Sequence, residues 1–401
     1  MDRRGFLIGT GSLALAQLAS GCSRGDGAAL KVRLLKDSIP AQLAGEFRSL
    51  LQSPVAIKFD PEKQLKELYK NLQAWKRQAQ KKDSSPFSLP FTIPFVGEKT
   101  PAIADLVTLG DYWLEAAIGE QLIQPLDLTQ LQGWQQLPPR WQELVKRDSK
   151  GQLSQKGLVW GAPYRWGTTV IAYNRDKFKE LGWTPKDWSD LWRPELRGKI
   201  SLLDQPREAI GLTLKKLGAS YNTTDLSKVP NLKKELLALH QQVKLYSSNR
   251  YLEPLLLGDT YVAVGWSTDI LPLRTGYSQI KAVVPQSGTA LWADIWVQPA
   301  STDGSNLGEM GERVALMKQW IDFCWQPKQA SEISLFSNAT SPIVTGMKGA
   351  DLPKDLRNNR LLLPEASILN KSEFLKPLPQ SVLADYVALW KEMRLSKVEA
   401  S

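Results

Sequence analysis

Short apolar segments alternate with segments of helical periodicity along most of this chain, and this alternation restricts the fold more than any other feature. Residues 30–35 alternate between apolar and polar side chains, and residues 104–109 and 291–297 are equally short and apolar. In residues 65–75 the apolar side chains instead recur every three or four positions, which predicts an amphipathic helix. Strands that alternate with helices are typical of α/β folds with largely parallel sheets.

The length and composition fit a globular protein of two domains. The chain has 401 residues, of which 42% are hydrophobic and 23% are charged, as in an ordinary folded protein. At roughly 150 residues per domain, this length favours two domains, each with its own core. With one histidine and two cysteines, a zinc cluster and a disulfide framework are excluded. We therefore expect neither a metal nor another cofactor.

The formal net charge of +10 does not by itself indicate nucleic-acid binding. The basic residues are spread over predicted helix faces, as at Lys63, Lys66 and Lys70, and they interleave with acidic residues. A nucleic-acid reader would carry a recognisable motif or an arginine-rich arm, and neither occurs. We expect no nucleic-acid partner.

The first 21 residues have the pattern of an export signal. Arg3 and Arg4 precede a short apolar stretch at residues 13–18, which is typical of a twin-arginine signal peptide. The small residues before Cys22 are similar to a lipoprotein cleavage box, in which the cysteine is acylated; plain cleavage by signal peptidase is the alternative. The expected location is the periplasm or cell surface, with the protein anchored to the membrane through Cys22.

Four segments that follow predicted strands carry an aromatic residue, a carboxylate or both. In α/β folds, ligands bind at the carboxyl ends of the strands, where loops enter helices. This recurrence is the main functional signal in the sequence. The segments are residues 110–112, 204–208, 265–269 and 292–294.

Around these segments, a set of motifs resembles one protein family, the extracellular solute-binding proteins of ABC importers, particularly the spermidine/putrescine-binding branch. The resemblance covers roughly residues 30–345. The motifs that carry it are Leu-Gly-Asp-Tyr-Trp at 109–113, Tyr-Arg-Trp-Gly-Thr at 164–168, Trp-Ser-Asp-Leu-Trp at 188–192, Pro-Arg-Glu at 206–208, Leu-Gly-Ala-Ser at 217–220, Gly-Trp-Ser at 265–267 and Leu-Trp-Ala-Asp at 291–294.

The resemblance implies a two-lobed periplasmic-binding-protein fold of type II, in which each lobe is a mostly parallel sheet flanked by helices. The chain would cross between the lobes near Thr168 and Asp294. The first lobe would hold residues 30–167 and about 294–340, and the second residues 168–293 and about 341–401. Such a protein traps a solute as its lobes close, delivers it to an ABC permease, and is expected to be a monomer.

In the polyamine branch, carboxylates bind the ammonium groups and aromatic faces line the methylene chain. This division fits the chemistry, because a desolvated ammonium group regains its hydrogen bonds best from carboxylates and an indole face attracts cations. Carried over position by position, the ligand-binding candidates are Asp111, Tyr112, Glu208, Trp266, Trp292 and Asp294.

At four positions the chain departs from the polyamine-binding pattern. Leu35 and Ser38 stand where a tryptophan and a tyrosine are usual, Gln205 replaces an acid, and Ala339 replaces an aromatic residue. These departures favour a shorter diamine or a different solute. The alternatives are another organic cation, a phosphonate or iron.

The alternatives differ in the side chains they require. Iron capture favours adjacent tyrosines, and the chain has no such pair. An anion binder needs arginine at the strand ends, and Arg165 and Arg207 keep that option open. A hydrolytic triad would need a base, but the single histidine, His240, lies in an ordinary predicted helix. We do not expect an enzyme.

The candidate residues also have structural explanations. Glu208 lies in the first turn of a predicted helix, where the helix dipole stabilises a carboxylate without any ligand. Trp266 and Tyr112 fit core packing as well as ligand contact. Trp292 and Asp294 alternate on one strand and share a face; if that face is the core, Asp294 needs a charged partner there.

Overall fold

The structure is a computed structural model that describes residues 30–51, 56–83, 102–300 and 307–396. The predicted export signal of residues 1–21 and the candidate lipidation site Cys22 lie outside these ranges. Within the described ranges, no helix is long and apolar enough to cross a membrane.

The strands of the described residues include the three apolar segments named above, with ends that differ by no more than two residues. They are β1 Leu30–Leu35, β2 Ile57–Glu62, β3 Leu106–Gly110, β4 Ile123–Gln124, β5 Lys146–Arg147, β6 Leu158–Val159, β7 Ala162–Asn174, β8 Ile200–Leu202, β9 Val243–Tyr246, β10 Val262–Trp266, β11 Ile280–Val283, β12 Ala290–Pro299 and β13 Glu373–Phe374.

Helices occupy most of the chain between the strands. They are α1 Ala41–Leu50, α2 Leu65–Asp83, α3 Leu114–Gly119, α4 Gln132–Gln136, α5 Pro139–Val145, α6 Arg175–Leu181, α7 Pro206–Lys216, α8 Leu232–Gln242, α9 Glu253–Leu257, α10 Ser267–Ile270, α11 Leu273–Gly276, α12 Leu307–Cys324, α13 Pro327–Phe336, α14 Lys354–Arg357, α15 Ala366–Leu369 and α16 Gln380–Leu395. Short 3₁₀ turns occur at Asp111–Trp113, Trp188–Trp192, Pro194–Leu196, Leu226–Lys228, Pro342–Gly346 and Gly349–Asp351.

Two long strands run through the centre of the main sheet, whose order is β2-β1-β3-β12-β7-β10-β8-β9. From Ala162 to Thr168, β7 pairs with β12; from Thr169 to Tyr173, it pairs with β10 instead. β12 lies between β3 and β7 and is antiparallel to both. β7 therefore belongs to both halves of the sheet, as a strand that crosses between two lobes must.

The sheet is mixed, whereas the sequence pattern predicted largely parallel pairing. The outer pairs β1/β2, β1/β3, β8/β9 and β8/β10 are parallel, as expected for strands joined through helices. β7 and β12 are antiparallel to each other because they pass between the two halves in opposite directions. The prediction was right for the outer strands and wrong for the central ones.

The C-terminal part of the chain packs in two different places. The turn Pro342–Gly346 contacts α4 and β7, and Trp141 Nε1 donates to Thr345 Oγ1 at 3.3 Å. In contrast, α16 packs on α7 and α8, where Tyr386 and Trp390 join their apolar cluster. The lobe boundaries stay a prediction, and this packing favours a boundary C-terminal to residue 346 over one at about 340.

Candidate functional site

The six candidate residues come from the ends of three strands of the central sheet and from the interior of a fourth. Asp111 and Tyr112 begin the turn that follows β3 directly, and Glu208 lies in the first turn of α7, after β8. Trp266 is the last residue of β10. The remaining two, Trp292 and Asp294, lie within β12 beside the crossing.

Asp111 is a buried carboxylate that is hydrogen bonded to the neighbouring strand. Its Oδ1 accepts a hydrogen bond from the Ala293 backbone N–H at 2.9 Å. Burial raises the pKa of this carboxyl to about 7; the nearby charge of Asp294 adds to the rise, and the Arg147 guanidinium opposes it. A carboxyl whose pKa is raised this far has too little positive charge nearby to compensate its ionised form.

Glu208 is also buried and is only partly hydrogen bonded. Its Oε1 accepts from the Thr169 hydroxyl at 3.0 Å, while Oε2 is buried with no hydrogen-bond partner among the described residues. Burial raises the pKa of Glu208 to about 7, and the charge of Asp111 contributes to that rise. The two carboxyls are therefore near enough to repel each other, although 97 positions separate them in the sequence.

One indole ring borders Glu208, and a second lies against β7. The Trp266 side chain lies close enough to Glu208 to favour its ionised form, and the Trp266 backbone N–H donates to the Tyr251 hydroxyl at 3.2 Å. The Trp292 ring lies against Gly167, where a Cβ atom would come within 2.3 Å of the ring. Glycine at 167 therefore allows the Trp292 ring to lie against β7.

Asp294 is paired with an arginine of the neighbouring strand. Arg165 Nε donates to Asp294 Oδ2 at 2.7 Å, and the two side chains are only 4% and 2% exposed. Arg165 also donates through Nη1 to the Ser337 carbonyl at 3.2 Å. The charge of Asp294 thus has a partner on β7, and a direct contact of Asp294 with ligand stays a prediction.

Tyr112 differs from the other candidates because it is 60% exposed. Its ring lies edge-on to Trp113, with centroids 5.9 Å apart. Tyr112 is also among the groups that act electrostatically on Arg207, the residue beside Glu208. It therefore lies at the edge of the site, between solvent and the buried carboxyls.

Sequence patterns alone missed two residues that support the site. Thr169 orients Glu208, and Tyr251 anchors Trp266 while donating to Asp269 Oδ2 at 2.9 Å. Thr169 lies in a β-branched run that is indistinguishable from an ordinary strand, and Tyr251 belongs to no motif. His240 packs as predicted, with Nδ1 3.0 Å from the Tyr246 hydroxyl.

The raised pKa values predict how the stability of the ligand-free protein depends on pH. Asp111 and Glu208 have ordinary values of 3.8 and 4.5 but values of about 7 in the folded state. Because the folded state binds these protons more tightly, their stabilising contribution is complete below about pH 4 and is lost as pH rises to about 7. We expect the melting temperature, measured relative to an Asp111→Asn/Glu208→Gln variant, to fall by on the order of 5 °C between pH 5 and pH 8. The prediction would be contradicted if the melting temperatures of the unchanged protein and of the Asp111→Asn/Glu208→Gln variant changed equally between pH 5 and pH 8.

The described residues contain no group of three or more His, Cys, Asp or Glu side chains arranged to hold a metal ion. The site instead provides two buried carboxyls whose negative charges are only partly compensated, the faces of indole rings and an exposed tyrosine. Such a set has the chemistry that suits a desolvated organic cation, because carboxylates replace the water around an ammonium group and aromatic rings cover its alkyl part.

Comparison with known proteins agrees with this geometry. The sequence profile of a family described as bacterial extracellular solute-binding protein matches residues 102–371. The spermidine/putrescine-binding periplasmic protein of Salmonella typhimurium is 27% identical over 290 residues, which cover 72% of this chain and 75% of that protein. The putrescine/cadaverine-binding protein of Pseudomonas aeruginosa is 28% identical over 268 residues, covering 63% of this chain and 72% of that protein.

Solved structures show the same fold. The spermidine/putrescine ABC transporter substrate-binding protein of Streptococcus pneumoniae superposes with a TM-score of 0.72 at 18% identity, covering 92% of this chain and 99% of that one. A related structure from Listeria monocytogenes gives a TM-score of 0.62 at 22% identity, with 92% and 100% coverage. The resemblance stated from the sequence motifs and the type II periplasmic-binding-protein fold are both confirmed.

Proposed function

The chain belongs to the bacterial extracellular solute-binding protein family, and on that premise we propose that it captures a polyamine such as putrescine or spermidine and delivers it to an ABC permease. The polyamine-binding relatives support this ligand class. The ligand lies in the cleft beside β7 and β12, and the lobes close over it about these strands.

The observation that carries the proposal is the pair of buried carboxyls at the ends of β3 and β8. Each is held near a pKa of about 7 by burial, so a bound ammonium group supplies the positive charge that both lack. Charge-assisted hydrogen bonds to a carboxylate are about twice as strong as neutral ones. Asp111 and Glu208 therefore take the ammonium groups of the ligand.

The other candidates take the remaining parts of the ligand. Trp266 and Trp292 cover its methylene chain, and Tyr112 closes the site on the solvent side. The charge of Asp294 is already compensated by Arg165. Asp294 therefore supports the crossing between the lobes more than it attracts the ligand. The protein carries out no chemistry on its ligand and acts as a monomer.

A thermal-shift panel on the purified protein tests the ligand class. Putrescine and spermidine should raise the melting temperature, since a ligand at 100 times its Kd stabilises the folded state by about 2.7 kcal/mol. Phosphate and ferric citrate should have no effect. Stabilisation by phosphate or ferric citrate without stabilisation by any polyamine would overturn the proposal.

We further propose that residues 1–21 direct twin-arginine export and that Cys22 is acylated, so that the protein is held at the membrane on the periplasmic or outer side. The support is the sequence pattern of Arg3-Arg4 and of the small residues before Cys22. Cys22→Ala should move the protein from the membrane fraction to the soluble fraction, as followed by immunoblotting. Cys324→Ala is the matched control, because Cys324 is buried in the core. Membrane retention of Cys22→Ala would exclude the lipid anchor.

A further inference from the structure

A buried arginine, Arg165, lies on the same face of β7 as two residues that support the candidate site. Side chains alternate between the two faces of a strand, so positions 165, 167 and 169 share a face. On this face Gly167 lies against the Trp292 ring, and the Thr169 hydroxyl donates to Glu208 at 3.0 Å. The face of the sheet that carries the candidate site therefore contains a positive charge of the chain itself.

Asp294 lies between this arginine and the strand that leads to Asp111. The sheet register places Asp294 directly opposite Arg165 on one side and opposite Gly110 on the other. Arg165 Nε donates to Asp294 Oδ2 at 2.7 Å. The charge of Asp294 also contributes to the raised pKa of Asp111, so the two carboxyls are within electrostatic reach of each other. The ion pair is thus part of the surroundings of the candidate site.

The guanidinium of Arg165 is held in place by contacts on two elements. Besides its bond to Asp294 on β12, it donates through Nη1 to the carbonyl of Ser337, which follows α13, at 3.2 Å. It also opposes the rise that burial causes in the pKa of Asp269. Because an arginine in a protein does not lose its proton, the positive charge beside Asp294 is permanent.

The three carboxyls near this face therefore differ in what they can offer to a ligand. Asp111 and Glu208 have pKa values raised to about 7 by burial, so each would gain from a bound ammonium group. Asp294 already has the guanidinium of Arg165. A third ammonium group on this face would be desolvated near a fixed positive charge without a free carboxylate to receive it.

We propose that Arg165 is a specificity-determining residue, whose guanidinium takes the position at Asp294 that a further ammonium group would need, so that the site favours diamines over triamines. This inference rests on the proposed function. An ammonium group of the ligand does not displace the guanidinium, because Arg165 would then be buried without a partner. Two ammonium groups are accommodated by Asp111 and Glu208, and the third charge of spermidine is not.

The test compares two ligands of the same chain length, spermidine and 1,8-diaminooctane. They differ at one position, where spermidine has a secondary ammonium group and the diamine has a methylene group. In calorimetric titrations the unchanged protein should bind 1,8-diaminooctane about tenfold or more tightly than spermidine. Arg165→Met should shift this ratio at least about tenfold in favour of spermidine, because Asp294 is then free to receive the additional ammonium group.

Two further variants separate the roles of charge and packing. Arg165→Met/Asp294→Asn removes the guanidinium together with the carboxylate, so its ratio should stay within about threefold of that of the unchanged protein. Arg175→Met is the matched control, because the Arg175 side chain is 50% exposed, and it should leave both affinities unchanged.

Arg165→Met is expected to destabilise the ligand-free protein, because Asp294 loses its partner. Its melting temperature is therefore also measured with each ligand, and spermidine should restore more of the loss than 1,8-diaminooctane does. If this variant does not fold even with ligand, the unchanged protein still decides: binding of spermidine as tightly as 1,8-diaminooctane would contradict the proposal.

The possible results distinguish this proposal from the proposed function. If polyamines bind and the ratio is the same in Arg165→Met as in the unchanged protein, the role of Arg165 is wrong and the polyamine function stands. An equal shift in Arg165→Met and in Arg165→Met/Asp294→Asn would also overturn it, because Asp294 would not be the acceptor. If the unchanged protein binds neither ligand nor putrescine, the polyamine function is wrong, and the role of Arg165 with it.

Discussion

Replacing Asp294 by asparagine is expected to lower the free energy of unfolding by about 3–5 kcal/mol. The substitution preserves the shape of the side chain but leaves Arg165 buried without its carboxylate partner; the Arg165 side chain is only 4% exposed. An unpaired buried charge is among the most destabilising changes that a single substitution produces. Urea denaturation of the ligand-free protein measures the effect.

An ion pair on the protein surface serves as the control for this substitution. Arg175 and Asp176 form an ion pair at 3.0 Å with side chains that are 50% and 58% exposed, so Asp176→Asn should change stability by less than about 1 kcal/mol. Removing both buried charges, as in Arg165→Met/Asp294→Leu, should restore most of the loss. A loss below about 1 kcal/mol for Asp294→Asn would show that the Arg165 pair does not hold the crossing together.

Substituting either buried carboxyl of the candidate site should weaken polyamine binding by about ten- to a hundredfold. Asp111→Asn and Glu208→Gln each keep the side-chain shape and remove a charge that faces the ligand, and a hydrogen bond to a charged group contributes about 1.5–3 kcal/mol. The folded protein itself should not lose stability at pH 8, because both carboxyls are destabilising when ionised without ligand. Calorimetric titration with putrescine and spermidine measures the affinity.

This combination of effects distinguishes a binding role from a structural one. Glu180→Gln, in which the replaced carboxylate is 67% exposed on α6, should leave the affinity unchanged. If both Asp111→Asn and Glu208→Gln bound polyamines with full affinity, the carboxyl pair would not be the ammonium site. A loss of affinity together with a loss of stability at pH 8 would assign these residues to the fold.

The strand ends that carry Asp111, Glu208 and Trp266 could be predicted from the sequence. Each follows an apolar run that stops abruptly at a polar or glycine-flanked position, and such a boundary depends on local sequence alone. The motif order then placed the crossing near Thr168, and β7 changes its pairing partner between Thr168 and Thr169. Local patterns and family resemblance were sufficient for these features.

The partners of the charged residues could not be predicted in the same way. The Arg165–Asp294 contact spans 129 positions, and the contact from Ala293 to Asp111 spans 182. Such contacts depend on which strands become neighbours and on their register, neither of which any short segment determines. For the same reason, the sequence placed Asp294 beside the ligand without indicating that its charge is already compensated.

The position of β12 between β3 and β7 has a consequence for synthesis of the chain. A nascent polypeptide that ends before residue 290 already contains β3 and β7, but the strand that separates them in the sheet does not yet exist. Both strands then present unpaired edges, which favour association with other chains. The part of the chain before residue 290 therefore cannot complete its sheet as it leaves the ribosome, and binding by a chaperone during this interval would protect the exposed edges.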